Sequence, residues 1–172
     1  MNPELRHMRA NDLEKVLAWR NHFDVRRYMY TQHQITFEEH SQWFARASQD
    51  SKKHLLIFEV ERTPLGFINI HEIGAGGIAD WGFYVAPNSP KGTGKALGIA
   101  ALKYAFEDIG LHKLCGKVLE NNERSMKFHK SLGFKEEGVL RQQHFDNKDY
   151  HDIHCFGILA SDWKNYFLKA TL

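Results

Sequence analysis

Lys91-Gly92-Thr93-Gly94-Lys95-Ala96 lies between a strand-like run, Trp81–Val85, and an apolar, helix-forming run over Gly94–Ile109. The N-terminus of a helix presents unpaired N–H groups and a partial positive charge, and both favour a bound phosphate. Glycines allow the backbone to approach such an anion closely, and the two lysines add positive charge. The motif therefore predicts a phosphate-binding turn between a strand and a helix.

The spacing of this glycine loop excludes two familiar nucleotide-binding motifs. There is no GxxxxGK[ST] pattern, and no GxGxxG pattern is followed by an acidic residue about 20 positions later. Taken alone, Gly92 and Gly94 are equally consistent with a tight turn that binds nothing.

Strand-like and helix-like runs alternate along the rest of the chain. The predicted strands are His54–Glu61, Leu65–Ile70, Ala79–Val85, Lys113–Leu119, Phe134–Phe145 and Tyr150–Ile158. The predicted helices begin at capping boxes over Asn11–Glu14 and Thr36–Glu39, at Gly94, at Asn122 and at Ser161. Mixed strands with interspersed helices favour an α+β fold in which helices cover a sheet.

Composition and charge restrict the function classes. Hydrophobic residues make up 42% of the chain and charged residues 26%, a globular balance. The formal charge of +2 is too small to favour a nucleic-acid or membrane-surface partner. Two cysteines, Cys115 and Cys155, cannot form the disulfide framework of a small secreted domain, so we expect a cytoplasmic protein.

A second informative segment, Val118–Ser125, continues into a run that ends Lys130-Ser131-Leu132-Gly133-Phe134. Together with the glycine loop it resembles the GNAT superfamily of acetyl-CoA-dependent N-acetyltransferases. Lys91 stands where that family usually has Gln or Arg. The resemblance implies one domain over residues 4–165, with a mixed sheet of about seven strands flanked by helices.

The N-terminal third resembles a narrower group within that superfamily. Its motifs are Trp19-Arg20-Asn21-His22, Tyr28-Met29 and the run His33–His40. They are similar to bacterial enzymes that acetylate a nucleotide-linked 4-amino sugar on the route to pseudaminic acid. The resemblance implies acetyl-CoA as co-substrate, no metal, and a UDP-linked amino-deoxy sugar as acceptor; it leaves open whether the protein is a homodimer.

The resemblance also implies a coenzyme site and a direct attack of the acceptor amine on the thioester in a ternary complex. The expected coenzyme-binding residues share two strand–helix junctions: Phe83, Tyr84, Val85, Lys91, Gly92, Thr93, Gly94, Lys95, Ala96, Asn122 and Ser125. Backbone N–H groups of the glycine loop would hold the pyrophosphate. An N–H of the strand Phe83–Val85 would face the developing oxyanion.

Proton transfer has several candidates. His129 stands where many relatives have a tyrosine, and we expect it to protonate the departing thiolate; the alternative is water or another group. For the base we expect Asp80, with Glu72 and His71 as alternatives that act through water.

The acceptor is expected near residues of the N-terminal third and one strand end: Trp19, Arg20, Asn21, His33 and His71. Arg20 would bind a diphosphate with two donors, and Trp19, Tyr28 or Tyr30 would stack on uracil. Two alternatives stay open: Trp19 as a core residue, and Arg20 in a surface ion pair.

The sequence also leaves two rival functions open and contains two minor features. The rivals are acetylation of protein N-termini, as in ribosomal-protein acetyltransferases, and a non-catalytic acyl-CoA-binding module. His151 and His154 are three apart in a strand, so they point to opposite faces and cannot share a metal ion. Cys115 is expected to be a small buried residue of a strand.

Overall fold

The computed structural model describes residues 3–170 and contains seven strands and six helices among them. The strands are β1 Pro3–His7, β2 Lys53–Val60, β3 Thr63–Glu72, β4 Ile78–Val85, β5 Lys113–Leu119, β6 Lys135–Phe145 and β7 Tyr150–Leu159. The helices are α1 Leu13–Asn21, α2 Phe23–Arg26, α3 Phe37–Ala47, α4 Thr93–Lys103, α5 Glu123–Ser131 and α6 Ala160–Ala170.

The seven strands form one mixed sheet in the order β1-β2-β3-β4-β5-β7-β6. Strands β1 and β2 pair antiparallel, as do β2 and β3, β5 and β7, and β6 and β7. Strand β4 pairs with β5 in parallel over Ile78–Asp80. The expected α+β fold with about seven strands is confirmed.

The described residues divide into two compact units. The first comprises the described residues up to His71 with Gly82–Ala101, and the second comprises Glu72–Trp81 with the described residues from Leu102 onwards. In the first unit, α1 and α3 bury apolar side chains with residues of β2 and β3. The core members are Met8, Val16, Trp19, Ala47, Leu55, Ile57, Phe67 and Ala86.

The start of α1 differs from its predicted capping box over Asn11–Glu14. The capping carboxylate is that of Asp12, which accepts from the N–H of Arg9 at 2.8 Å. The guanidinium of Arg6 holds the same carboxylate at 2.7 and 2.8 Å, so Asp12 is buried and the helix begins at Leu13. Sequence spacing could not reveal this because Arg6 lies on β1, a polar strand that the hydrophobic pattern did not predict.

The second capping box is confirmed. The hydroxyl of Thr36 accepts from the N–H of Glu39 at 3.2 Å, and the carboxylate of Glu39 accepts from the N–H of Thr36 at 2.7 Å. Reciprocal bonds of this kind satisfy two helix donors that would otherwise lack partners. Helix α3 therefore begins at Phe37, as the sequence predicts.

In the second unit, α5 and the hairpin of β6 and β7 follow the predicted pattern closely. Asn122 caps α5 through its side-chain oxygen, which accepts from the N–H of Ser125 at 3.1 Å. The hairpin turns at Asp146, whose carboxylate accepts from the N–H groups of Lys148 and Asp149. Helix α4 ends at Lys103, earlier than predicted, because a π-helical turn over Tyr104–Asp108 follows it. No helix among the described residues is long and apolar enough to cross a membrane.

Candidate active site

The glycine loop lies in the first unit and leads into α4, which begins at Thr93. Gly92 has φ +93°, a left-handed conformation that glycine adopts without a Cβ penalty. No atom lies within 4 Å of the position that a Cβ at Gly92 would occupy, so the loop is open on that side. The side chains of Lys91 and Lys95 are exposed.

Two of the five N–H groups expected to bind an anion are already hydrogen-bonded. The N–H of Thr93 donates to Pro90 at 3.2 Å, and that of Ala96 donates to Gly92 at 3.1 Å. Among the described residues, the N–H groups of Gly94 and Lys95 have no acceptor. The first turn of α4 therefore offers free donors at these two residues, and the expectation for Thr93 and Ala96 is not supported by their geometry.

The position of α4 depends on a close approach to β3. A Cβ added at Gly66 would collide with Cδ1 of Leu97 and lie 3.2 Å from the carbonyl oxygen of Tyr84. Leu97 is fully buried. Glycine at position 66 thus allows the first turns of α4 to pack against the strand, and this contact holds the open helix end in place.

His129 lies in the second unit and is 3% exposed. Its Nδ1 lies 2.8 Å from the carbonyl oxygen of Ser125, so Nδ1 carries the proton and donates. Its Nε2 accepts from the indole N–H of Trp81 at 3.2 Å. The imidazole also stacks on Phe156 and lies edge-on to Phe134. Burial lowers the pKa of His129, and the ring is therefore neutral at neutral pH.

This environment argues against His129 as the acid expected from the sequence. Both ring nitrogens are used in the fold, and the side chain is neither solvated nor charged. An acid would need a proton on Nε2, which instead accepts a hydrogen bond from Trp81. The geometry gives His129 a structural role, and the alternative of water or another proton donor gains support.

The candidate bases differ in their surroundings. The Asp80 carboxylate lies 3.7 Å from Nζ of Lys117 on the neighbouring strand, and both side chains are partly exposed. Glu72 is half-buried at the end of β3, where His71 is exposed. The Asp80 carboxylate is thus accessible and has a cationic partner.

Two of the expected acceptor residues have structural roles. Trp19 is 8% exposed and belongs to the core of the first unit, because it lies on the face of α1 that carries Val16. The side-chain amide of Asn21 bonds both polar backbone groups of Ile35, each at 2.8 Å. Trp19 therefore cannot stack on a base as it stands, and Asn21 closes the loop between α1 and α3.

Of the other expected acceptor residues, His71 is exposed and Arg20 is half-buried. His33 is exposed, with Nε2 3.3 Å from the carboxylate of Glu39. Arg20 makes no ion pair among the described residues and donates to the carbonyl oxygen of Thr31 at 2.7 Å. The open alternative of a surface ion pair at Arg20 is therefore not what the structure contains.

Three residues accompany Arg20 in the first unit, and of these only Arg26 lies outside the motifs that the sequence offers. Arg26, on α2, is near enough to lower the pKa of Arg20 by charge repulsion, after the larger effect of burial. Tyr84 and His40 interact electrostatically with Arg20 in the same unit. No motif includes Arg26, because α2 is only four residues long.

His151, His154 and Cys115 lie on strands of the sheet. His151 lies between Asp146 and Glu120, and these carboxylates raise the pKa of its imidazole. His154 bonds Glu136 at 2.6 Å. Within the described part of the chain, no three His, Cys, Asp or Glu side chains converge on a metal position. Cys115 is half-buried, and burial raises the pKa of its thiol.

A strand, a glycine loop and a helix with free N-terminal donors form an arrangement that suits a phosphate group. Residues 4–135 match the family model of the acetyltransferase (GNAT) domain, and the chain belongs to that family. It is an N-acetyltransferase by family, and one solved structure with this fold contains CoA.

Curated relatives and solved structures are similar over most of the chain. Acetyltransferase PseH of Campylobacter jejuni strain 81-176 is 31% identical over 153 residues, 85% of this chain and 87% of the relative. Spermidine N(1)-acetyltransferase of Vibrio cholerae is 25% identical over 94% of this chain and 95% of the relative. The crystal structure of the Vibrio cholerae spermidine N-acetyltransferase with CoA and spermine has a TM-score of 0.86, with 25% identity, over 94% of this chain and 98% of that chain.

Proposed function

We propose that this chain transfers acetyl from acetyl-CoA to the 4-amino group of a UDP-linked amino-deoxy sugar, UDP-4-amino-4,6-dideoxy-N-acetyl-β-L-altrosamine, in pseudaminic acid biosynthesis. The similarity to two PseH acetyltransferases, at 31% and 30% identity, supports this acceptor. The motifs around Trp19–His22 and His33–His40 point the same way. The proposal treats residues 4–165 as one N-acetyltransferase domain in the cytoplasm.

The charge of the segment between α1 and α3 is the observation that favours this acceptor over a polyamine. This segment has two arginines, Arg26 and Arg27, and one aspartate, Asp24, and Arg20 at the end of α1 adds a third arginine. A polyamine carries several positive charges at neutral pH and needs carboxylates nearby, whereas a nucleotide sugar carries a negative diphosphate. The cationic segment therefore supports an anionic acceptor.

In the proposed mechanism the coenzyme supplies an acetyl thioester, and residues of this chain bind the coenzyme and accept the proton that the amine loses. The free N–H groups of Gly94 and Lys95, with the ammonium groups of Lys91 and Lys95, bind the diphosphate. The backbone of Phe83–Val85 offers an N–H to the carbonyl oxygen.

Two proton transfers accompany the formation of the amide C–N bond and the breaking of the thioester C–S bond. Asp80, or Glu72 through water, takes the proton that the amine loses. The departing thiolate takes a proton from solvent rather than from His129, since both nitrogens of that ring are hydrogen-bonded in the fold.

The proposal is tested by offering one purified enzyme three acceptor classes with acetyl-CoA and following free thiol release. We expect kcat/KM for the UDP-linked 4-amino sugar to exceed that for spermidine and for N-terminal peptides by at least about 100-fold. A preference for spermidine or for peptides would overturn the acceptor assignment. Saturable acetyl-CoA binding with no turnover of any amine would favour the non-catalytic module instead.

A further inference from the structure

Two arginines of the first unit are held against the same short stretch of backbone. Nη2 of Arg20, near the end of α1, donates to the carbonyl oxygen of Thr31 at 2.7 Å. Nη1 of Arg26, at the end of α2, donates to the carbonyl oxygen of Gln32 at 3.0 Å. Because the two acceptors are consecutive residues, both guanidinium groups are fixed beside one turn, and their orientations are set before any ligand arrives.

Each of these guanidinium groups has a buried nitrogen with no hydrogen-bond acceptor in the described part of the chain. The atoms are Nη1 of Arg20 and Nε of Arg26. Neither group pairs with a carboxylate there, whereas Arg6 bonds two carboxylates and Arg27 pairs with Asp24. A buried charged donor without an acceptor is costly, so these two nitrogens need an explanation.

Electrostatics around Arg20 adds to that requirement. Burial lowers the pKa of Arg20, Tyr84 raises it, and the nearby charge of Arg26 lowers it. His40, buried and stacked on Trp43, has a lowered pKa and is therefore neutral at neutral pH. No carboxylate pairs with either arginine among the described residues, and an anion would relieve the repulsion between them.

We propose that Arg20 and Arg26 form an anion site that binds the diphosphate of the acceptor and so determines the selection of nucleotide-linked amines. The inference rests on the proposed function for the identity of the acceptor, but the paired site is defined by this chain alone. Arg26 is the new residue in this assignment, since no sequence motif includes it.

A diphosphate matches the site in charge and in donor geometry. A nucleoside diphosphate sugar carries two negative charges, equal and opposite to those of the two guanidinium groups. Neither guanidinium bonds a carboxylate among the described residues, and arginine forms bidentate or paired contacts with phosphate readily. The same two positive charges repel a polyamine. The pair therefore favours a nucleotide-linked amine and disfavours a cationic one.

The test uses the full chain, saturated with CoA to occupy the coenzyme site, and titrates UDP and uridine by calorimetry. We expect UDP to bind at least about tenfold more tightly than uridine. Arg20→Gln and Arg26→Gln should each weaken UDP binding by about tenfold or more and leave uridine binding unchanged. Arg27→Gln is the matched control, because Arg27 is exposed and pairs with Asp24; it should change UDP affinity less than about twofold.

The outcomes separate this inference from the proposed function. UDP binding that is unaffected by both substitutions, or equal binding of UDP and uridine, would overturn the anion site even if the enzyme acetylates the UDP-linked sugar. Arginine-dependent UDP binding without acetylation of that sugar would support the anion site and overturn the acceptor. Thermal melts check folding, and Arg26→Gln carries the test if Arg20→Gln fails to fold.

Discussion

The indole N–H of Trp81 donates to Nε2 of His129 at 3.2 Å, across 48 positions of sequence. Trp81 also stacks on Phe134, with ring centroids 5.5 Å apart, and His129 is bonded to the backbone of Ser125. This contact joins β4 to α5 within the second unit. His129, which the sequence predicts to be the acid, is therefore a buried side chain with hydrogen-bond partners inside the fold.

The first prediction concerns turnover. His129→Phe should leave kcat within about fivefold of the wild type at temperatures where the variant is folded, because the ring does not reach solvent. It should lower the free energy of unfolding by about 2–4 kcal/mol, since the Trp81 indole and the Ser125 carbonyl both lose a partner. Steady-state kinetics beside urea unfolding measures both, and a fall in kcat of about 100-fold in fully folded protein would restore the catalytic role.

The second prediction concerns pH. The pKa of His129 is lowered in the folded chain, so below about pH 6.5 the unfolded chain binds a proton that the folded ring resists. Stability from this residue is therefore complete above that pH and is lost as the pH falls through it towards the folded pKa.

Unfolding of the wild type and His129→Gln at a series of pH values checks this sign. The stability advantage of the wild type should shrink between about pH 7 and pH 5. His33→Gln is the control, because His33 is exposed beside Glu39, and its difference from the wild type should not shrink in the same way. A wild-type advantage that grows on acidification would contradict the neutral, buried ring.

The third prediction concerns Gly116 on β5. A Cβ at this position would lie 2.5 Å from Nε2 of His129 and 3.0 Å from the indole nitrogen of Trp81. Gly116→Ala should therefore lower the free energy of unfolding by about 1–3 kcal/mol. Gly138→Ala, where a Cβ meets no atom within 4 Å, should change it by less than about 0.5 kcal/mol. Equal effects of the two substitutions would show that the side chains of His129 and Trp81 can move to make room for the methyl group.

The fourth prediction concerns the packing of α4 on β3. Gly66→Ala should destabilise the chain by about 1–3 kcal/mol, because the new methyl group collides with Leu97. Leu97→Ala removes the colliding group, so the cost of Gly66→Ala should be smaller in that background. A double-mutant cycle by urea unfolding measures the coupling. Strict additivity of the two substitutions would refute the contact.

Local signals in the sequence explain which elements could be predicted. The side chains of Thr36 and Asn122 each accept a hydrogen bond from a backbone N–H three residues later, and both helices begin where expected. The turn of the hairpin between β2 and β3 was predicted wrongly, because the sequence pattern places it at Arg62–Pro64. The turn is instead Glu61 and Arg62, both at positive φ, and Thr63 and Pro64 belong to β3.

The candidate site was less predictable because its members depend on distant partners. The glycine loop was recognised, but its free donors depend on which N–H groups the chain itself uses. The alternatives for Trp19 and His129 could not be decided from the sequence, because their partners lie elsewhere in it, in the core of the first unit and at Trp81. No sequence pattern includes Arg26, and its proposed role depends on a buried Nε that has no hydrogen-bond acceptor among the described residues.

The central claim is that the open N-terminus of α4 binds the diphosphate of a coenzyme A thioester. Titrating acetyl-CoA into the wild type, Gly94→Val and the control Gly138→Ala by calorimetry tests it most directly. We expect saturable binding to the wild type and the control, and affinity at least about tenfold weaker for Gly94→Val, whose side chain would crowd the free N–H groups. No saturable binding to the wild type, or equal affinity in folded Gly94→Val, would contradict the account.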